Sequence, residues 1–178
     1  MRTLALTLAY DGITFDVERN LGPDFAGKVI FATSHSHGAM AQHTANLALA
    51  VGLGPFRRLV YDRVVSTMTA AAQAALAARV PAKIGFAHNG SFDPENLVSS
   101  DRRSENDELP NGANRKDHDL YVIRVDRADD SPLAILPVFG IHGTVLAASS
   151  NLASTDAPGA IEGALEEAFD SNVTVMHL

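Results

Sequence analysis

Seven histidines are spread along the 178 residues, and three of them stand where chemistry is commonly placed. His35 and His37 form an HxH pair in the stretch KVIFATSHSHGAM (28–40), directly after an apolar, β-prone run. In an extended chain, side-chain period two sets both imidazoles on one face, about 7 Å apart at Cα. His142 repeats the situation, with LAILPVFGI (133–141) before it and Gly143 after it. Imidazoles at the ends of two strands can surround one point, which is where an α/β protein keeps its chemistry. A catalytic zinc typically takes about three protein ligands and leaves one position open for water. The same residues also read as polar loop positions bonded to backbone, so the pattern alone leaves both readings open.

The chain contains no cysteine. That removes disulfides and thiolate nucleophiles, and it leaves His, carboxylates, hydroxyls and water as metal ligands, a set that favours zinc or another borderline divalent ion. Several site types are excluded by absence of their motif: no HExxH, GxSxG, P-loop or GxGxxG occurs. The HxHxDH pattern of metallo-β-lactamase-like hydrolases fails because Ala39 stands where its Asp is required. An amidohydrolase barrel also uses HxH after a first strand, but needs a far longer run of βα units. His43, His88, His118 and His177 are assigned no role.

The elements that must position the histidines alternate along the chain. Thr3 to Tyr10 reads as a strand ended by Asp11-Gly12, and Thr14 to Leu21 as a short helix closed by Gly22-Pro23. Lys28 to Thr33 is the strand that delivers the HxH pair. Ala39 to Leu53 is an Ala-rich helical region, and Phe56 to Arg79 a clear helix that Pro81 ends and that is expected to pack on the sheet. Strands follow at Ala82–Ala87, Leu120–Val125 and Leu133–Ile141, with Pro137 arguing for an edge or a bulge. Between them, His88 to His118 is a long polar loop, of a kind that is either a binding loop or disordered. Asp156 reads as an N-cap with Pro158 in the first turn of a helix reaching Phe169, and Asn172–Leu178 as a final strand. The expected fold is α/β, with a mixed β-sheet core and packed helices, incomplete at both ends.

Hydrophobic residues make up 46% and charged residues 20%, enough for a real core in one domain or part of a larger one. A net charge of −7 argues against nucleic acid as a partner, because phosphate neutralisation needs a basic face. No apolar run reaches the roughly 18 residues of a membrane-spanning helix. MRTLALTLAYDG resembles a signal peptide only superficially, since its apolar run is short and alternating.

Five blocks carry a specific resemblance: ATSHSHGA (32–39), HNGSFDPEN (88–96), DHDLYVIRVD (117–126), FGIHGTVLAASSNLASTDAPGAIEGALEE (139–167) and NVTVMHL (172–178). In order and spacing the chain resembles the N-terminal catalytic domain of the neutral/alkaline non-lysosomal ceramidases. The resemblance implies zinc-dependent hydrolysis of the amide of ceramide to sphingosine and fatty acid. It implies that His35 and His142 are zinc ligands and that His37 is the catalytic histidine that stabilises or protonates the reacting amide. The implied partner is a ceramide-like lipid amide, with membrane-surface contact open for a full-length protein. Family members are commonly secreted or surface-associated, whereas this chain shows no signal of its own.

The departures from the family pattern are specific. A Gly-Asp-x-Ser-Pro block, and the later Glu and Tyr that complete the zinc sphere, would follow NVTVMHL and are not in this sequence. The chain is accordingly expected to be a fragment that binds zinc weakly and hydrolyses no ceramide alone. Gly90 stands where the family tends to carry Arg. Two other functions stay open: a hydrolase of another N-acyl lipid or small amide on the same fold, and a non-catalytic α/β binding module whose histidines are structural.

Overall fold

The computed structural model describes residues 7–39, 42, 43, 51, 54–95, 97–99, 117–147, 149, 150, 152–169 and 173–178. These fall into two compact units, one of residues 1–81 with 143–158 and the other of 82–142 with 159–178. Most of the Ala-rich region at 39–53 and most of the polar loop at 88–118 lie outside the described residues.

In the first unit two helices pack on each other, α1 (Thr7–Leu21) and α2 (Arg58–Ala77). Ile13, Val17 and Leu21 recur every four residues and present one apolar stripe. Tyr61, Val64, Val65 and Met68 of α2 meet it, and Ile13 is fully buried at the centre. The strand expected at Thr3–Tyr10 is therefore a correction: residues 7–10 are helical, and the helix runs through the supposed turn at Asp11-Gly12. Gly12 serves packing instead. A Cβ there would lie 3.3 Å from Tyr61 Oη, so the missing side chain lets α2 approach. The Tyr61 hydroxyl donates to Asp16 Oδ2 at 2.7 Å. Burial first, then that carboxylate, push the phenol up to about 12.

The segment 28–35 also departs from expectation, since it forms no regular strand. Val29 and Phe31 reach the helical core, while Ile30 is 94% exposed. The Val29 amide donates to Glu18 Oε1 at 3.1 Å, so a helix side chain takes the place of a ladder partner. Helix α2, for its part, packs on α1 within this unit.

The second unit holds β1 (Ala82–Asn89), β2 (Leu120–Arg127), β3 (Pro132–Val138) and β4 (Thr174–Val175), ordered β1-β2-β3-β4. The first three pair antiparallel and β4 joins β3 in parallel, giving a mixed sheet with packed helices as expected. Helix α3 (Asp156–Ala168) begins in the first unit and runs on into the second. There Leu165 packs against the buried cluster of Ile135, Val173 and Val175. Pro137 sits inside the sheet, paired with Val122, and the register shift falls at Val125/Asp126. The Pro137 carbonyl accepts from the Leu178 amide. Its missing donor therefore faces the C-terminal segment, and the ladder to β2 loses no bond.

The C-terminal strand alternates its donors. Met176 and Leu178 give theirs to β3, while Val175 and His177 give theirs to Glu166 and Glu162 of α3 at 3.1 and 3.0 Å. His177 is only 3% exposed. Burial pushes its imidazole below the usual 6.5, against the opposing pull of Glu162. Unfolding exposes a histidine that then binds a proton more readily, so stability falls as pH drops through the unfolded value near 6.5. His177 is expected to add a slope of at most about 1.4 kcal/mol per pH unit in that window. Melting curves of wild type and His177→Gln from pH 7 to 5 check this; equal slopes would refute it.

Candidate metal centre

The HxH pair lies in a turn of the first unit. His35 adopts φ 56°, the left-handed region, which kinks the chain between Thr33 and His37. Instead of lying a strand pitch apart on one face, the two rings converge. Their Nε2 atoms are 3.3 Å apart, with ring centroids at 5.0 Å and planes at 75°. Two nitrogens about 2.0–2.1 Å from one tetrahedral zinc would be separated by nearly this distance. A ring-to-ring hydrogen bond also fits it, with the tautomer deciding which nitrogen donates.

What holds the turn is backbone pairing with a distant segment. Ser36 forms an isolated parallel bridge with Gly143, and the His37 amide donates to the Gly143 carbonyl at 3.0 Å. The approach demands glycine: a Cβ on Gly143 would lie 2.8 Å from Ser36 Cα and 3.0 Å from the His35 carbonyl oxygen. Gly38 is equally confined, its Cβ position colliding with the Ser154 carbonyl oxygen. The Ser154 amide donates back to the Gly38 carbonyl at 3.1 Å, and Ser36 Oγ donates to the Ser154 carbonyl at 3.0 Å. Each histidine segment is thus followed by a glycine because two backbones must touch there.

Asp156 closes the surroundings of the turn. Its Oδ1 accepts from the amides of Val145 at 2.9 Å and Ala157 at 2.6 Å, and its Oδ2 from Leu146 at 3.0 Å. Burial alone would raise this carboxyl. The three amide bonds, with His37 adding its charge, outweigh burial and hold it below the usual carboxylate range. The N-cap expected at Asp156 is a correction: Asp156 is the first helical residue, its one bond within the helix goes to the next amide, Ala157, and the other two reach a loop ten and eleven residues back.

Of the residues singled out in the sequence, His35 and His37 are brought together directly. His142 is one peptide bond ahead of Gly143, the residue bridged to Ser36. By donor type, the imidazoles of His35 and His37 are a nitrogen-only, thiolate-free pair, and such a pair suits a borderline divalent cation. The sequence reading misses the remote bonds of Asp156 and misses the tie through Ser154. Their only trace in the sequence is small and polar residues at 154–156, a pattern shared by ordinary helix starts.

At Gly90, a Cβ would sit 3.3 Å from Asp119 Oδ1 and 3.4 Å from His88 Cε1. His88 Nε2 and Asp119 Oδ1 are paired at 2.7 Å, and His88 stacks on Tyr121 at 4.5 Å. A larger residue at 90 would have to displace that pair.

A mixed α/β chain with a converged histidine pair defines only a broad class of domains. Comparison with known proteins narrows it. The sequence profile of the family described as neutral/alkaline non-lysosomal ceramidase, N-terminal, matches residues 12–177, and the chain belongs to that family. Among solved structures, the neutral ceramidase from Pseudomonas aeruginosa superposes with a TM-score of 0.73 at 13% identity, covering 93% of this chain and 27% of that one. A ceramidase complexed with C2 superposes with a TM-score of 0.70, also at 13% identity and with coverage of 93% and 27%. At that identity the likeness speaks to fold, and this chain spans only 27% of the length of either structure. No curated protein sequence matches it. Among the described residues, no helix is long and apolar enough to cross a membrane.

Proposed function

We propose that this chain is the metal-holding part of a ceramidase-type amide hydrolase, acting on the N-acyl bond of ceramide to give sphingosine and a fatty acid, with zinc as the metal. Family membership across residues 12–177 carries the reading, and the convergence of His35 and His37 supports it. His35 and His142 are the proposed zinc ligands, His142 entering through its peptide bond to Gly143. His37 is the proposed catalytic residue.

Zinc, when bound, supplies a Lewis acid that polarises the amide carbonyl and lowers the pKa of a water to near 7. The chain's own residues supply the geometry. His35 presents a nitrogen at the turn's apex, and His37 holds a second one 3.3 Å away. From there an imidazolium can hydrogen-bond an oxygen that gains negative charge, or give its proton to the departing amine. Glycines 38 and 143 keep the two backbones close enough for this to persist.

Zinc is expected to raise the melting temperature of the chain, and a chelator to reverse the shift. At 100 times Kd the gain is about 2.7 kcal/mol. Melting unchanged by zinc and chelator would favour structural histidines and sink the metal assignment. A panel of labelled N-acyl substrates offered to the full-length gene product tests the substrate. Chelator-sensitive cleavage of N-acylsphingosine supports ceramide, whereas preference for another N-acyl amide would replace it.

A further inference from the structure

We propose that Asp156 is the positioning residue of the HxH turn, fastening it through a closed circuit of hydrogen bonds rather than serving as a helix cap. The proposal rests on the reading above only in taking the positioned imidazoles to bind metal. An ordinary cap satisfies amides two or three residues into its own helix. Asp156 instead gives both oxygens to the remote amides of Val145 and Leu146, adding only Ala157 from the helix.

The circuit can be followed bond by bond within the first unit. From Val145 the chain runs back two residues to Gly143, which bridges Ser36 and accepts from the His37 amide at 3.0 Å. Ser36 Oγ accepts from the Gly38 amide at 3.2 Å and donates to the Ser154 carbonyl at 3.0 Å. The Gly38 carbonyl in turn accepts from the Ser154 amide at 3.1 Å. Ser154 Oγ accepts from the Asp156 amide at 3.0 Å, which returns the path to its start. Opening the circuit at Asp156 frees the 143–146 segment from the helix start, and that segment is the partner of the HxH backbone.

Two features argue that this carboxylate is placed for a purpose. Asp156 is 9% exposed, so its charge is held away from water and must be met by donors. It also adopts φ 56°, a left-handed conformation that an L-residue enters at a cost. Both are offset by the three charge-assisted amide bonds. Groups that hold metal ligands in place typically change metal affinity by about 10–100-fold when removed.

The test uses two variants. Asp156→Gly accepts the left-handed backbone and removes the carboxylate. Asp156→Asn keeps the shape and one accepting oxygen but turns an NH2 toward the Leu146 amide. Residue-resolved amide exchange should show protection at His37, Val145 and Leu146 in wild type. That protection should be lost in Asp156→Gly, while amides of α1 and α2 keep theirs; in Asp156→Asn the loss should centre on Leu146. Zinc affinity, read by competition with a chromophoric chelator, should fall about 10–100-fold in Asp156→Gly and less in Asp156→Asn. Wild-type protection at His37 together with wild-type affinity in both variants would overturn the proposal. If Asp156→Gly fails to fold, Asp156→Asn decides by the same readouts. If wild type binds no zinc, the metal assignment fails, and the exchange pattern still decides the role of Asp156.

Discussion

Replacing His35 with alanine is expected to lower zinc affinity by about 100-fold or more, beyond the effect of losing a group that only orients a ligand. His37→Ala is expected to change affinity only a few-fold and to remove turnover in the full-length gene product instead. The contrast follows from the assigned roles, because a ligand contributes to holding the ion and a neighbouring acid or oxyanion donor contributes to the transition state. Chelator competition and N-acylsphingosine turnover on the same two variants check it. The 3.3 Å between the two Nε2 atoms makes the comparison sharp, since at that separation both nitrogens can reach one ion. Equal loss of zinc in the two variants would make His37 a ligand and take away its catalytic assignment. Wild-type affinity in His35→Ala would remove the HxH turn from the metal site.

Gly143→Ala is expected to be strongly damaging for a single added methyl. The added Cβ would meet Ser36 Cα at 2.8 Å, the His35 carbonyl oxygen at 3.0 Å and Ser36 N at 3.2 Å. All three are backbone atoms, so no side-chain rotation relieves the clash. Overpacking of this kind costs about 1–3 kcal/mol. Opening the Ser36–Gly143 bridge and the His37 amide bond adds about 1 kcal/mol. At about 2–4 °C per kcal/mol for a chain of this size, the melting temperature should fall by several degrees. Zinc affinity should fall with it, since the bridge ties the HxH turn to the residue that follows His142. Gly163 provides the control. It lies inside α3, and a Cβ added there would meet nothing within 4 Å, so Gly163→Ala should be stabilising by up to about 1 kcal/mol through helix propensity. A Gly143→Ala protein as stable as wild type would show that the bridge contributes little.

The helix at 58–77 and the strands beginning at 82, 120 and 132 are legible in the sequence because their patterns are local. An apolar residue every three or four positions, or a β-branched run between turn signals, biases a segment whatever surrounds it. The first helix escapes a local reading for a related reason. Thr3 to Tyr10 alternates weakly, and the stripe of Ile13, Val17 and Leu21 that makes α1 helical begins only after the Asp11-Gly12 pair. Whether a Gly is a turn or a packing notch depends on Tyr61, far along the sequence in another helix.

Residue types and motif order are enough to establish the kinds of chemistry open to this protein: imidazole ligands without thiolates, a mixed α/β scaffold and membership of a ceramidase family. They also mark His35, His37 and His142, by type and by the glycines that follow them. It takes the folded chain to turn His35 left-handed, to bring two imidazoles together at 3.3 Å and to fasten a remote loop to Asp156. The division arises because hydrophobic periodicity and ligand type are properties of single segments. A kink held by a bridge between residues 36 and 143, and a carboxylate satisfied by amides of another segment, exist only once distant backbones have closed on each other.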